Sequence, residues 1–224
     1  MKQLAPGVWQ LAGALPIPNA INTYLIEDVL VDAGARFDGK RILRQLSGRT
    51  LAAHALTHAH PDHQGASELV CRAFGVPFWV SDGDAPKAER PDLIRSEQPD
   101  HALNRLFFKT LAGPGRAVDR RLFEGDQMVG FQVLETPGHS CGHIALWRES
   151  DRVLVLGDVL NNMDVFTGVP GLREPKAILT PDPAANRASA RRLGELEPSL
   201  VCFGHGAPLR DTRKFVDFCA ALPP

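Results

Sequence analysis

The chain has 224 residues, a length that at about 150 residues per domain favours a single domain over residues 1–224. Its 25 Lys and Arg residues nearly balance its 26 Asp and Glu residues, which argues against a protein that binds nucleic acid or an anionic membrane through its charge. No apolar run reaches the roughly 18 residues of a transmembrane helix, and the N-terminal residues lack the pattern of an export signal. We therefore expect a cytoplasmic protein with no membrane partner.

Strand and helix patterns alternate along the first 81 residues. Apolar runs predict strands at residues 7–13, 22–27, 29–34, 51–57 and 76–81. Apolar residues at helical spacing predict helices at residues 38–47 and 67–74. Asp38 is the expected N-cap of the first helix, and Gly75 is the expected end of the second. Pro61 and Gly65 predict a loop between the fourth strand and the second helix.

Residues 82–116 differ from the rest of the chain because they are polar and contain four prolines. One helix is predicted there, at residues 101–111, and such a segment is typical of a cap or insertion over a site. Strands are then predicted at residues 131–137, 143–149, 152–159 and 200–206, with helices at residues 182–197 and 215–222. Residues 159–180 are predicted as a long loop. This order of elements predicts two sheets sandwiched between helices.

Histidine and aspartate side chains follow four of the predicted strands at the point where each strand ends. They are His58, His60, Asp62, His63, His139, Asp158 and His205. Strand ends in one sheet converge in space, so these side chains are expected to meet. Residues i and i+2 of an extended segment point the same way, so His58 and His60 can chelate one ion. Imidazole and carboxylate ligands without thiolate suit Zn²⁺, Fe or Mn at a site with open positions.

At these residues the sequence resembles the metallo-β-lactamase superfamily. The resemblance is carried by the segments VLVDAG, THAHPDHQG, PGHSCGH, LGDV and FGHG, and it extends over residues 7–210. It implies an α/β (α+β) fold, a four-layer αβ/βα sandwich. It also implies two divalent metal ions, for which Zn²⁺ is the first expectation and Fe or Mn the alternatives.

The resemblance also implies a role for each site residue. It assigns His58, His60 and His139 to one metal, Asp62, His63 and His205 to the second, and Asp158 to a bridging position. Asp32 resembles an acid that holds an imidazole in the correct tautomer. For His143 two interpretations stay open, because it either supports the metal ligands or only orients its own turn.

The charge count of such a centre indicates its chemistry. Two Zn²⁺ ions bring four positive charges, the carboxylates of Asp62 and Asp158 bring two negative charges, and a bridging hydroxide leaves a net charge near one. A cluster of this kind can hold a nucleophilic hydroxide at neutral pH. Asp62 could also move a proton as the leaving group departs. We therefore expect a metallo-hydrolase that cleaves an ester, thioester or lactone of a small molecule.

Several alternatives within the superfamily stay open. Thioester hydrolases of the glyoxalase II kind share every ligand position, but the 19 residues after His205 are too few for the helical domain of the longer forms. A short glyoxalase II-like member is therefore expected. The alternative is a mononuclear iron oxidoreductase similar to the persulfide dioxygenases. A phosphodiesterase or nuclease is a second alternative, which the charge disfavours. No nucleic acid partner is expected, and the sequence leaves the oligomeric state open.

The walls of the substrate pocket are predicted less directly. The loop at residues 16–22 and the segment at residues 82–116 are expected to wall it. Phe107 and Phe108 are interpreted as the core of the cap helix rather than as contacts for a ligand. His54 is interpreted as a structural histidine.

Overall fold

In the computed structural model, which describes residues 1–13 and 17–223, the strands form two large sheets and one two-stranded ribbon. The first sheet contains β1 (Lys2–Ala5), β2 (Val8–Gln10), β3 (Tyr24–Ile26), β4 (Val29–Val31), β5 (Ala53–Ala55), β6 (Phe78–Ser81) and β7 (Arg120–Leu122), side by side in chain order. The pairs from β1 to β4 are antiparallel, and the pairs from β4 to β7 are parallel. Parallel neighbours need long crossovers, which explains why helices separate β4, β5, β6 and β7.

The second sheet has the order β14-β11-β10-β9-β8. Its strands are β8 (Gln127–Met128), β9 (Phe131–Glu135), β10 (Ile144–Arg148), β11 (Val153–Gly157) and β14 (Leu200–Phe203), and the ribbon consists of β12 (Asn161–Met163) and β13 (Pro170–Arg173). Because β10 is antiparallel to both β9 and β11, and β11 is parallel to β14, the strands β9, β11 and β14 all run in one direction. Their carboxyl ends therefore lie along one edge of the sheet.

The described residues also form helices. They are α1 (Gly39–Gln45), α2 (Pro61–Gln64), α3 (Ser67–Phe74), α4 (Ala85–Glu89), α5 (Ile94–Glu97), α6 (Ala102–Leu111), α7 (Pro183–Glu195) and α8 (Thr212–Ala220), with short 3₁₀ turns at Pro91–Leu93 and Ala177–Leu179. Within the described residues, no helix combines the length and the apolar character needed to cross a membrane.

Alternation along the strands builds the layers. In β11, Val153 and Val155 lie in the core between the two sheets, whereas Leu154 and Leu156 point the other way and pack with residues of α7 and α8. On the first sheet, Leu30 packs outward with residues of α1 and α3. This follows from the two-residue period of a strand. The predicted four-layer αβ/βα sandwich is confirmed.

The helix boundaries follow their predicted capping residues closely. The helix predicted at residues 67–74 is observed with those limits, and Gly75 ends it in the left-handed region at a φ of +66°. The carboxylate of Asp182 accepts a hydrogen bond from the Ala185 amide at 2.9 Å, as an N-cap should. Asp38 lies at the N-cap of α1, but its side chain accepts from the Ala35 amide instead of capping the helix.

Two segments that were predicted to be loops contain regular secondary structure. Residues 159–180 contain the β12–β13 ribbon, whose sequence is rich in Asn, Gly and Pro and lacks the alternation that identifies a strand. The loop predicted after β5 contains the single helical turn α2, in which Pro61 takes the first position. That position suits proline because it needs no amide hydrogen. The short strands β1, β7 and β8 were also not predicted, since two to four residues give no period.

His54 is a buried structural histidine, and its burial should make the stability of the protein depend on pH. Its Nδ1 lies 3.0 Å from the Leu30 carbonyl oxygen and its Nε2 lies 2.8 Å from the Ser67 hydroxyl. Burial lowers the pKa of His54 from 6.5 to about 4. Between those values the unfolded chain binds more protons than the folded chain, so stability falls as the pH drops from 6.5 towards 4.

Between pH 7 and pH 4.5, the wild type should lose about 2 kcal/mol more of its unfolding free energy than His54→Gln loses. Urea denaturation of both proteins at the two pH values measures this difference. The difference in unfolding free energy between the two proteins at pH 7 is the cost of the substitution itself. It is subtracted from the difference at pH 4.5. Equal losses in the two proteins would contradict the assignment.

Candidate metal centre

The seven candidate ligand residues lie together at the carboxyl ends of strands from both sheets, and we call them the centre. Four of them follow β5, and the other three follow β9, β11 and β14. Their ligand atoms form three overlapping groups, and within each group all the atoms lie within 4.8 Å of one another. The groups are His58–His60–His139, His58–His63–Asp158 and Asp62–His63–His205. The structure therefore brings together all seven residues that the sequence singles out.

Asp158 lies at the middle of the centre. Its Oδ2 is 3.0 Å from His205 Nε2 and 3.5 Å from His139 Nε2, and its Oδ1 is 3.6 Å from His63 Nε2. On one side, His60 Nδ1 lies 2.9 Å from His139 Nε2. On the other side, the oxygen of Asp62 lies 3.3 Å from His205 Nε2. A single carboxylate thus faces both sets of donors.

The polar atoms at the centre of this cluster fit divalent cations. His58 Nε2, His63 Nε2 and Asp158 Oδ1 are buried and have no hydrogen-bond partner among the described residues. Buried polar atoms are nearly always paired, so three unpaired ones at one point need an explanation. Nitrogen and carboxylate oxygen donors are the ligands that Zn²⁺, Fe and Mn accept. The residues therefore fit bound metal ions.

Burial and charge divide the histidines of the centre into two kinds. Burial lowers the pKa of His58 and His60, and it lowers the pKa of His139 to about 4, so these imidazoles are neutral near pH 7. At His205 burial acts in the same direction, but the carboxylates of Asp158 and Asp62 outweigh it and raise the pKa to about 10. A cation that binds beside His205 must therefore displace a proton.

Asp32 sets the orientation of two histidines. It accepts hydrogen bonds from the Thr57 amide at 2.8 Å, from the Thr57 hydroxyl at 2.9 Å and from His63 Nδ1 at 2.9 Å. The Thr57 oxygen also lies 3.0 Å from His58 Nδ1, from which it can accept. With both Nδ1 atoms occupied in this way, His58 and His63 turn their Nε2 lone pairs into the centre.

Asp32→Asn is expected to weaken metal binding by roughly 10- to 100-fold. An amide has a single oxygen acceptor, so it cannot accept from Thr57 and His63 as the two carboxylate oxygens do. Competition with a chromophoric chelator measures the affinity. The control is Asp38→Asn, the same change at another buried acid (3% exposed), which hydrogen-bonds with Ala35 and Arg41 and not with a residue of the centre. Unchanged affinity in Asp32→Asn would contradict the role of Asp32.

His143 faces the backbone of the centre rather than the cluster of ligand atoms. Its Nε2 accepts a hydrogen bond from the Asp158 amide at 3.1 Å, and its Nδ1 lies 2.8 Å from the Thr136 hydroxyl. Both ring nitrogens are therefore used. Of the two interpretations left open by the sequence, these contacts favour the one in which His143 supports a ligand, since it holds the main chain of Asp158.

Sequence reasoning missed Asp84, which connects the two loops of the centre. The fully buried carboxylate accepts hydrogen bonds from the Ala59 amide at 2.7 Å, the Ser140 hydroxyl at 2.8 Å and the Gly142 amide at 2.9 Å. Lys87 lies 2.6 Å away and balances its charge. A signal was present, because Asp84 follows β6 just as the other site residues follow their strands.

A cavity of about 570 Å³ opens onto the centre. Ala20 and Ile21 line it, whereas Pro16, at the start of the loop predicted to wall it, lies outside the described residues. From the segment at residues 82–116, α6 contributes Phe107 and Phe108. The interpretation of these two rings as a helix core was wrong, because α6 has no buried residue and both rings are half-buried against the cavity.

Comparisons with known proteins agree with this geometry. The sequence profile of the metallo-beta-lactamase superfamily matches residues 16–205, which include the whole centre. The probable metallo-hydrolase YflN of Bacillus subtilis (strain 168) is 30% identical over 200 residues, 81% of this chain and 76% of that protein. A hydroxyacylglutathione hydrolase of Rhodospirillum rubrum is 34% identical over 108 residues, 46% of this chain and 32% of that protein. The solved di-iron-bound form of TTHA1623 has a TM-score of 0.68 at 31% identity, covering 96% of this chain and 98% of that one.

Proposed function

Because the chain belongs to the metallo-β-lactamase superfamily, we propose that it is a metal-dependent hydrolase that cleaves an ester, thioester or lactone of a small molecule. The observation that carries this proposal is that Asp158 faces histidines of both donor sets, beside three buried polar atoms that have no hydrogen-bond partner among the described residues. A partial relative named hydroxyacylglutathione hydrolase supports testing thioesters first.

Two cations would be held by the two donor sets. His58, His60 and His139 would hold one, Asp62, His63 and His205 the other, and Asp158 would serve both. When bound, they would supply an activated water and polarise the carbonyl oxygen of the substrate. The donor set suits zinc, and the similarity to a protein solved in a di-iron-bound form keeps iron as an alternative.

Asp62 and Asp158 have different surroundings and would have different tasks. Both line the cavity, but the side chain of Asp62 is 23% exposed, whereas that of Asp158 is 5% exposed and lies among imidazoles. This difference supports Asp62 as the group that would exchange protons with a leaving group and Asp158 as the shared ligand of the cations. Hydrogen bonds from His205 Nδ1 to the Ala20 carbonyl and from His63 Nδ1 to Asp32 keep both rings turned towards these carboxylates.

The cavity supports a substrate with an apolar acyl group. Its walls include Ile21, Phe107, Phe108, Leu111 and Leu179. Each methylene buried against such a wall contributes about 0.8 kcal/mol, so each added methylene should lower KM roughly fourfold until the cavity is filled. Octanoyl thioesters should accordingly be better substrates than acetyl thioesters.

Metal analysis of the protein purified without chelator, followed by a panel of thioesters, esters and lactones, tests the proposal. About two zinc, manganese or iron ions per chain together with metal-dependent hydrolysis is the expected result. One iron per chain, no hydrolysis, and oxygen uptake with glutathione persulfide would instead establish the dioxygenase alternative. A chain that takes up no metal on reconstitution would overturn the assignment altogether.

A further inference from the structure

Gln98 reaches the centre from the segment that walls the cavity. It follows α5, and its side-chain amide lies against the outer edge of the His60 ring, with Gln98 Nε2 and His60 Nε2 2.6 Å apart. The amide oxygen, Oε1, is buried and has no hydrogen-bond partner among the described residues. One end of this amide is thus placed against a candidate ligand while the other is an unused acceptor.

The neighbours of Gln98 fix its position firmly. Ile94, in the same turn of chain, is 2% exposed. Glu97 accepts a hydrogen bond from the Cys141 amide at 2.9 Å and forms an ion pair with Lys87. These contacts fix the backbone next to Gln98 against the loop that carries His139. The Gln98 side chain therefore contacts His60 from an anchored position.

The proton position on His60 decides what Gln98 must do when a cation is bound. His60 Nδ1 faces His139 Nε2 at 2.9 Å, so Nδ1 is the nitrogen turned into the centre. A neutral imidazole has one N–H, and the nitrogen that binds a cation must be the other one. The proton then lies on Nε2, and the group beside Nε2 must accept it. A half-turn of the Gln98 amide exchanges its nitrogen and oxygen ends and supplies that acceptor.

We propose that Gln98 is a positioning residue of the metal centre, whose Oε1 accepts the His60 Nε2–H and leaves Nδ1 free to bind a cation. The same half-turn pairs Oε1 with the His60 ring and moves the NH₂ group to the position that Oε1 held. This inference rests on the metal binding proposed above, and it makes the cavity wall a direct support of one ligand.

Zinc affinity of the wild type, Gln98→Glu and Gln98→Met tests the inference. Gln98→Glu keeps an acceptor and should bind zinc within a few-fold of the wild type. Gln98→Met has a similar size but no acceptor and should bind one of the two ions roughly 10- to 100-fold more weakly. Gln45→Met is the matched control, because it makes the same change at an amide that hydrogen-bonds with the Ala12 main chain and not with a residue of the centre.

A second measurement keeps the test decisive if Gln98→Met fails to fold. In the NMR spectrum of the zinc-loaded protein, the His60 Nε2–H should exchange slowly with solvent in the wild type and in Gln98→Glu. Fast exchange in the wild type would overturn the role of Gln98, as would unchanged zinc affinity in a folded Gln98→Met. If the wild type binds no zinc at all, the proposed function fails instead, so the two failures are distinguishable.

Discussion

Asp158→Asn is expected to lower kcat/KM by about 1000-fold or more and to reduce bound metal to at most one ion per chain. The carboxylate of Asp158 is the only one of the centre that lies within 3.6 Å of imidazoles from both donor sets in the described structure. Asparagine has nearly the same size but no charge, and its NH₂ group cannot bind a cation. Both sets of donors would therefore lose their shared ligand.

Metal content per chain and hydrolysis of the best substrate measure this effect. The control is Asp164→Asn, which makes the same change at an acid that pairs with Arg173 at 3.1 Å and Lys176 at 2.7 Å. That variant should keep both ions. The role of Asp158 would be refuted by a variant that retains two ions and loses less than about tenfold in kcat/KM.

Gly204→Ala is expected to disrupt metal binding almost as severely, although glycine has no ligand atom in its side chain. A Cβ at this position would lie 1.9 Å from Asp158 Oδ1 and 2.8 Å from His63 Cε1. Both neighbours are held by other contacts, so the clash cannot be relieved without moving ligand atoms. Overpacking of this kind typically costs about 1–3 kcal/mol of stability, and we expect less than one tightly bound ion per chain.

Gly48→Ala is the control for Gly204→Ala, because it should lower stability without disturbing the metal-binding residues. Gly48 has a φ of +78° and nothing within 4 Å of an added Cβ, so alanine there should cost about 1–2 kcal/mol through backbone strain alone. Its metal content should equal that of the wild type. If Gly204→Ala also binds two ions with wild-type affinity, the close approach of Gly204 does not shape the centre.

The residues of the centre were predictable because each one directly follows an apolar run. The end of an apolar run marks the end of a strand, and strand ends in one sheet converge. His58, His139 and His205 could therefore be expected to meet. Asp84 hydrogen-bonds with neighbours of the centre, and Gln98 contacts His60 itself. Each of these contacts joins residues that are 25 to 58 positions apart in the chain. Contacts at such separations depend on how loops fold over the sheet edge, and no local pattern records them.

The walls of the cavity were harder still to predict. The spacing of Phe107 and Phe108 on α6 is the same for a helix that faces a protein core and for one that faces a cavity. Only the absence of a covering layer over α6 in the described structure distinguishes the two cases. The strands β12 and β13 could not be predicted, because they are short and contain Asn, Pro and Gly, which are uncommon in strands.

The centre draws its donors from both sheets, and this division gives a bound cation a mechanical role. His58, His60, Asp62 and His63 belong to the half of the chain that builds the first sheet, whereas His139, Asp158 and His205 belong to the other half. A cation held by both groups cross-links the halves of the sandwich at one edge. Ions that bind only the folded chain stabilise it by about 4 kcal/mol at a free concentration 1000 times their Kd. Chelation should therefore lower Tm, and metal-starved cells should degrade this protein faster than metal-replete ones.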